Sequence, residues 1–498
     1  MQAIITNKFR LNNAEQFSES FSESAATVYY LGIGRAQSFG TLTRPDARTD
    51  YKGTETAPTT PGDSVLNEFK NFDDLLAAKK ITSSDVSFVV PRRNWTTGTT
   101  YDIYRHDYEE YVTGSSSTKV TSNSGATTLF DSTFYVVTSD RNVYKCLDND
   151  GNTASTVEPT GTSTSVITTG DSYKWKYMYT LSASQQANFL STDFMGVSTN
   201  STVSSAAVDG ALDIVKIKTA GSSYTVSGGG TSGTITAVPI RGDGTGGICS
   251  VTITSGAVTA VAVTTRGSGY TSGYIRNADI IAATNAGGAG SGAELDVIIP
   301  PKGGHGFNAV EELGGFFIML NTSLEGTEST NSGDFTAAND FRKITLIKDP
   351  QNAAGSAASA ATLRGTYAIR INSSPTPGTF TADEEINQAS TGAVGKVVEW
   401  DATNRILYYV QTRHNDAGAD ANGNVTAFSG TNVITGQSSS ATGTPEATTS
   451  TVNNVSFTSG YSAPELKHDT GEILYVENRT KITRATDQTE NIKLIIEF

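Results

Sequence analysis

The chain has 498 residues, and at roughly 150 residues per domain that points to about three domains rather than one core. Hydrophobic residues make up 37% and 49 glycines add to them, while charged residues reach only 17%, below the usual figure of about 25%. Thr, Ser, Gly and Asn fill the gap, a mixture that favours strands and turns over helices. The formal net charge of −14 opposes attraction to phosphate backbones and anionic lipid surfaces, so neither nucleic acid nor membrane insertion is expected. The densest apolar run, Phe316 to Leu320, falls far short of the ~18 residues of a membrane span. Lys8 and Arg10 follow the first apolar residues with no apolar stretch behind them, which is unlike a secretory signal. Cys146 and Cys249 are too few for a disulfide framework and are expected to be reduced and buried.

In chain order, Ala3 to Phe9 reads as a strand, and Leu11, Ala14, Phe17 and Phe21 then recur at helical spacing. Thr27 to Gly34 reads as a buried strand, followed by a Pro- and Thr-rich loop from Thr41 to Pro61. Asp63 is placed to cap a helix with Val65, Leu66, Phe69, Phe72, Leu75 and Leu76 on one face, ending near Lys79 and Lys80, where cations suit the helix dipole. From Asp85 the period changes to two, in Val86, Phe88 and Val90. Further strands are predicted at Tyr101 to Tyr104, Thr133 to Val137, Val143 to Leu147 and Lys174 to Leu181, separated by turn-forming clusters.

Between about Ser204 and Pro301 the composition shifts to Gly, Ala, Thr and Val. Two turn motifs recur here, Thr219-Ala220-Gly221-Ser222-Ser223-Tyr224-Thr225 and Thr265-Arg266-Gly267-Ser268-Gly269-Tyr270-Thr271. Strands are predicted before them at Ala211 to Lys218 and Ala257 to Thr264, and after them at Thr234 to Ile240 and Glu294 to Ile299. Ser255-Gly256 is a tight-turn pair joining Val251 to Thr254 with the next strand. The region reads as an inserted β module of two related halves, too few for a solenoid. A second insert is predicted over Thr366 to Thr444, with a hairpin of Lys396 to Trp400 and Ile406 to Val410 around Asp401 to Asn404. Ala/Ser/Thr-rich linkers flank it. Strand patterning returns at Ile473 to Val476 and Ile492 to Phe498.

Catalytic signatures are scarce. The four histidines, His106, His305, His414 and His468, show no metal-ligand spacing, and His305 in Gly303-Gly304-His305-Gly306 reads as a structural turn. Asp148, Asp150 and Asn152 start like a calcium loop, but Thr153 and Pro159 stand where the glycine and glutamate belong, so a polar turn is expected. Gly228 to Gly233 and Gly242 to Gly247 both match GxGxxG, yet strands rather than helices follow them, so no dinucleotide cofactor is expected. Arg241-Gly242-Asp243 is an adhesion tripeptide by letter alone. The acidic pairs Glu109-Glu110, Glu311-Glu312 and Glu384-Glu385 do not make a glycosidase dyad, because neighbours in a strand point to opposite faces; they are expected on a solvated surface. Tyr101, Tyr104, Tyr108 and Tyr111 with Arg105 have the composition of an interface and equally that of half-buried strand packing.

Several segments together are more specific than these motifs: Val90-Pro91-Arg92-Arg93-Asn94-Trp95, Val143-Tyr144-Lys145-Cys146-Leu147-Asp148, Gly170-Asp171-Ser172-Tyr173-Lys174-Trp175-Lys176-Tyr177, Phe341 to Pro350, Gly471 to Arg479 and Asp487 to Glu490. In content and order they resemble the baseplate wedge protein family called gene product eight of T-even-like contractile-tailed phages. The resemblance spans residues 1 to 200, 300 to 355 and 460 to 498 and leaves out the two inserts, which are similar in composition to small β domains of marine T-even-like phage tail proteins. It implies a non-enzymatic subunit that forms a homodimer, joins other baseplate wedge proteins, resides in the virion tail baseplate and is synthesised in the host bacterial cytoplasm.

The expected fold is mainly β: a multi-domain β-sandwich core with a few short helices. Residues 1–203, 302–365 and 456–498 form the core, and 204–301 and 366–455 the inserted modules. Arg92 and Arg93 are candidates for forked bonds to carboxylates across an interface or for local ion pairs. Tyr104, Arg105 and Tyr108 are further interface candidates. Glu477, Asn478 and Arg479 are expected to break the preceding strand in a turn and to offer a subunit contact, while Trp95 and Trp175 should anchor cores. No cofactor and no metal are expected. The rival readings are a tail-associated glycan-binding or glycan-degrading protein and a secreted β-rich adhesin, the latter disfavoured by the N-terminus.

Overall fold

The computed structural model describes residues 4–23, 27–40, 53–108, 122–325, 340–411, 418, 420, 424–483 and 488–498. Glu109-Glu110, Tyr111, His414, Asp487 and most of the Thr41 to Pro61 loop lie outside them. Strands hold 41% and helices 10%, so the protein is mainly β, and its named ladders are antiparallel. Two compact units divide the chain: Met1–Gln16 with Ser87–Met319 and Ile495–Phe498, and Phe17–Val86 with Leu320–Leu494.

In the first unit, strands Tyr135–Val137, Asn142–Asp148, Lys174–Thr180 and Ile167–Thr168 form a four-stranded sheet in that order. Alternation along Asn142–Asp148 sends Val143 and Leu147 into one apolar cluster and Tyr144 and Cys146 into another. With both faces covered, the strand reads as apolar from Val143 to Leu147 except at Lys145. Trp175 is fully buried in the second cluster, and Trp95 packs against it from its edge. Tyr101 to Tyr104 is buried rather than half-buried, and the strand predicted there does not form, since the segment joins no ladder. Its polar groups are met singly: Tyr104 N–H donates to Cys146 O at 2.8 Å, and the Asp102 carboxylate accepts from Thr133 N at 2.7 Å and Ser124 N at 2.9 Å.

The Gly-rich region forms one core from Leu212 to Ile299. Strand Val215–Ser222 pairs with Ser291–Val297, and Gly233–Pro239, Ile248–Thr254 and Ala257–Thr265 make a three-stranded sheet. The first and last strands of the region are displaced from the predicted Ala211 to Lys218 and Glu294 to Ile299. The apolar residues at Ala211, Leu212, Ile298 and Ile299 are buried without belonging to the ladder. Ser255 (φ 51°) and Gly256 (φ 79°) are both left-handed, the geometry of the two-residue turn that suits strand twist.

The repeated motifs bury Tyr224 and Tyr270 beneath glycine-rich loops. Tyr270 Oη accepts from Gly247 N at 3.0 Å and donates to Ile240 O at 2.9 Å; Tyr224 Oη accepts from Ala293 N at 3.2 Å and bonds Asn277 Oδ1. A Cβ on Gly244 would overlap the Tyr270 ring, and one on Gly290 the Tyr224 ring. The halves interleave. The loop over Tyr270 precedes it in the chain, at 242–247, whereas the loop over Tyr224 comes from the far end of the module, at 287–292.

In the second unit, strands Thr362–Arg364, Leu75–Ile81, Tyr29–Gly34, Phe341–Lys348 and Glu472–Ile482 form a sheet in that order, with Tyr29–Gly34 buried throughout. The expected helix is shorter than its apolar spacing implied. It runs Val65–Asp73 and is capped by Ser64 rather than Asp63, the Ser64 hydroxyl accepting from Asn67 N. Leu75 and Leu76 belong instead to strand Leu75–Ile81, which pairs on both edges; two ladders outweigh one more helical turn. The N-terminal expectation also fails locally. No strand forms before Phe9 among the described residues, and the helix begins at Asn7 and reaches Glu19. A seven-stranded sheet carries hairpin Ala393–Asp401 and Ile406–Val410, its turn held by Asp401 Oδ1 accepting from Asn404 N at 2.9 Å.

Candidate functional site

The arginines flagged in the sequence bond mainly to carbonyls. Arg92 donates from Nε to Asn94 Oδ1 and from Nη1 to Ser191 O, both at 2.9 Å. Arg93 donates to Phe130 O at 2.8 Å and to Ser132 O, with its guanidinium 4.7 Å from the Tyr135 ring centroid. These forks fasten loops to the C-terminal end of strand Val86–Pro91. Arg105 does find carboxylates, Asp107 at 2.6 and 2.7 Å and Asp296 at 2.9 Å. Burial disfavours its charge, but the two carboxylates outweigh that and raise its pKa. Because Asp296 lies on Ser291–Val297, this bond ties the Gly-rich module to the segment after Tyr104. Tyr108 Oη donates to Ile103 O at 2.9 Å.

Glu477, Asn478 and Arg479 do not form a turn. They lie inside strand Glu472–Ile482, paired with Phe341–Lys348 through a ladder whose register slips twice. The ladder absorbs their polar character: Asn478 Nδ2 donates to Thr59 O at 2.9 Å, Glu477 accepts from Tyr475 Oη at 3.0 Å, and Arg479 Nε lies 3.9 Å from Glu477. Arg92, Arg93, Tyr104, Arg105 and Tyr108 thus belong to the first unit and the 477–479 trio to the second.

Around Tyr104 the first unit holds a concentration of buried charge. The register of Asn142–Asp148 against Lys174–Thr180 sets Lys145 directly opposite Lys176, at 0% and 2% exposure. Glu312 ends the short helix Ala309–Glu312, and its carboxylate accepts from the Lys145 ammonium, from Gly306 N at 2.8 Å and from Asn308 N at 3.2 Å. Burial lowers the Lys145 pKa, and Glu312 opposes that. At the edge of this cluster the partly exposed Arg266 bonds the buried Asp213 carboxylate at 2.7 Å. His305 sits among them, its pKa pushed well below the usual value by burial and then by Lys145, Lys176 and Arg266, so it stays neutral. Its ring meets Tyr104 edge-on, with centroids 4.9 Å apart. The glycine-rich turn around His305 therefore delivers a buried imidazole rather than a surface loop. Among the described residues no three His, Cys, Asp or Glu side chains gather to hold a metal ion.

Two of the acidic pairs also depart from the expected solvated surface. Glu312 and Glu384 are buried, because each carboxylate satisfies backbone donors; Glu384 accepts from Thr381 N at 2.7 Å and Ser439 N at 2.9 Å. In the Arg241-Gly242-Asp243 tripeptide, Arg241 bonds Asp279 at 2.8 Å and Asp243 accepts from Thr271 N and Ser272 N at 2.9 Å.

Residues 3–154 match the family model described as Bacteriophage T4, Gp8. The Gp8-like stretch contains Val90 to Trp95, the 101–108 segment with Tyr104, Arg105 and Tyr108, and the Lys145 strand. The segments from Gly170, Phe341 and Gly471 onward lie outside it. Comparison with curated proteins gave no match.

Just beyond the Gp8-like stretch, Asp171 has a structural role that its motif did not disclose. Burial raises its pKa, but bonds from the Thr169 hydroxyl, Val157 N, Thr156 N and the Ser155 hydroxyl outweigh this and hold it at about 2. A carboxylate depressed in the folded state stabilises above its unfolded pKa of about 3.9, and that contribution disappears as pH falls through the folded value. Asp171→Asn should therefore be less stable than wild type at pH 7, with the difference closing between about pH 4 and pH 2. Urea unfolding at several pH values reads this, and a difference independent of pH would contradict it.

Proposed function

We propose that the protein is a structural, non-enzymatic subunit of a contractile-tail baseplate wedge. It forms a homodimer, joins neighbouring wedge proteins and takes part in the rearrangement that triggers sheath contraction. It resides in the virion tail after synthesis in the host bacterial cytoplasm. The match of residues 3–154 to the Gp8 family carries this reading. The mainly β architecture supports it, since ladders buried on both faces give a body able to transmit force between neighbours. In the same reading 204–301 and 366–455 are modules inserted into a β-sandwich core of 1–203, 302–365 and 456–498. The 92–108 and 477–479 side chains contribute at subunit contacts by presenting surfaces that their internal bonds hold in place.

Sedimentation equilibrium of the purified chain, together with mass spectrometry of purified tails, tests the proposal. A dimer that co-assembles with wedge proteins and is found in intact tails is expected. A strictly monomeric protein absent from tails would overturn it.

A further inference from the structure

Two buried lysines of the first unit face each other across a ladder, and among the described residues only one of them has an ion-pair partner within reach. Like charges directly opposite across a ladder repel, and burial removes most of the water that would screen them. Lys145 meets this with Glu312, and Arg266 with Asp213. Lys176 has no such ion-pair partner among the described residues. Its ammonium offers three donors and meets one acceptor, the carbonyl of Thr164, a dipole rather than an anion. Buried ammonium groups are ordinarily paired, because taking a lone charge out of water is costly.

The space beside it is suited to the missing partner. Alternation along Lys174–Thr180 puts Lys174 and Lys176 on one face, and with Arg266, Asp213, Thr164 and Thr168 they line a cavity of about 400 Å³. Arg266 spends one nitrogen on Asp213, and its Nε has no hydrogen-bond partner. The internal repeat shows that the fold does not ask for this guanidinium. Ala220 stands at the corresponding place in the first Gly-Ser-x-Tyr motif, and Tyr224 is fully buried there without a guanidinium. An arginine therefore occurs in the half that lines the cavity, beside a lysine with no ion-pair partner of its own among the described residues, in a chain whose net charge is −14.

We propose that this cavity binds an oxyanion, a carboxylate or phosphate group on a small molecule, held by the Lys176 ammonium and the Arg266 guanidinium. Charge-assisted bonds of this kind are the strong class of polar contact, and a guanidinium meets an oxyanion with two parallel donors. The hydroxyls of Thr164 and Thr168 suit a polar, sugar-like body attached to the anion. This site is independent of any wedge role, since it rests on the geometry of one unit.

Isothermal titration of the full-length protein with inorganic phosphate and, separately, with glucuronate tests it, chloride being adjusted to constant ionic strength. Saturable binding of at least one probe is expected, with Arg266→Ala weakening it about tenfold or more. Lys176→Met should abolish it while folding normally, because an apolar replacement removes a buried ammonium that has no ion-pair partner of its own among the described residues. Lys218→Ala, an exposed lysine of the same module, should bind as wild type does. Tighter glucuronate binding assigns a sugar-borne carboxylate, and tighter phosphate binding assigns phosphate. No saturable binding of either probe, or affinity unchanged in both Arg266→Ala and Lys176→Met, would overturn the proposal.

Discussion

Glu312→Ala should destabilise the protein by about 3–5 kcal/mol, the cost of breaking a buried ion pair from one side. The carboxylate is the counter-charge of Lys145 and also the acceptor for Gly306 and Asn308 N–H. Its loss leaves a buried ammonium and two backbone donors unmet, with Lys176 still facing Lys145 across the ladder. Lys145→Met combined with Glu312→Leu should recover the part of the loss that comes from the stranded ammonium, while the Gly306 and Asn308 donors stay unmet. Urea unfolding of the three proteins measures both effects. A single variant within about 1 kcal/mol of wild type would show that water reaches this pair.

Tyr270→Ala should remove about 3–5 kcal/mol by opening a cavity where a fully buried aromatic ring was, and Tyr224→Ala should cost a similar amount. The distinctive expectation is where the damage spreads. Each tyrosine is covered by a loop that leads into a strand of the shared core, Gly244 and Gly247 ahead of Ile248–Thr254, and Gly290 ahead of Ser291–Val297. Either substitution should therefore speed amide hydrogen exchange across the whole of 212–299 rather than across its own half. Exchange confined to one half would mean that the two halves open separately.

Elements whose cause is local were legible in the sequence. Tyr29–Gly34 is continuously apolar and is buried on both faces; the Ser255-Gly256 pair and the Asp401 to Asn404 turn carry their own turn chemistry. What failed depended on distant partners. Leu75 and Leu76 continue a helical spacing, and nothing nearby in sequence reveals the two strands that claim them. Glu477, Asn478 and Arg479 look like a break because three polar residues follow the apolar run Ile473 to Val476, yet a slipping register keeps them in a ladder. The Tyr101 to Tyr104 aromatics are buried, but their polar groups are met one at a time, by Cys146 O of strand Asn142–Asp148 and by side chains and loop donors, instead of by a continuous ladder.

The charged residues show the same division more sharply. Arg92 and Arg93 leave two readings open in the sequence, a carboxylate across an interface or a local ion pair, and the structure shows bonds to the carbonyls of Ser191, Phe130 and Ser132. Lys145 and Lys176 are visible there only as parts of two motifs. That they face each other depends on a register that includes a bulge between Val143 and Tyr144, which no local pattern encodes. Glu312 and Glu384 look like surface charge because their backbone donors come from loops whose approach cannot be read from spacing.

The Gly-rich module begins and ends on neighbouring strands, with Val215 paired to Val297. Its entry and exit are therefore about one strand spacing apart, roughly 5 Å, a gap a tight turn can close. A host fold accommodates such a cassette without moving its own flanking residues, and lengthening the chain between two points already held together adds little closure entropy. On the proposed reading of 204–301 as an insert, the module can be gained, exchanged or lost as a unit, which lets its outward surface diversify while the framework beneath it keeps its shape.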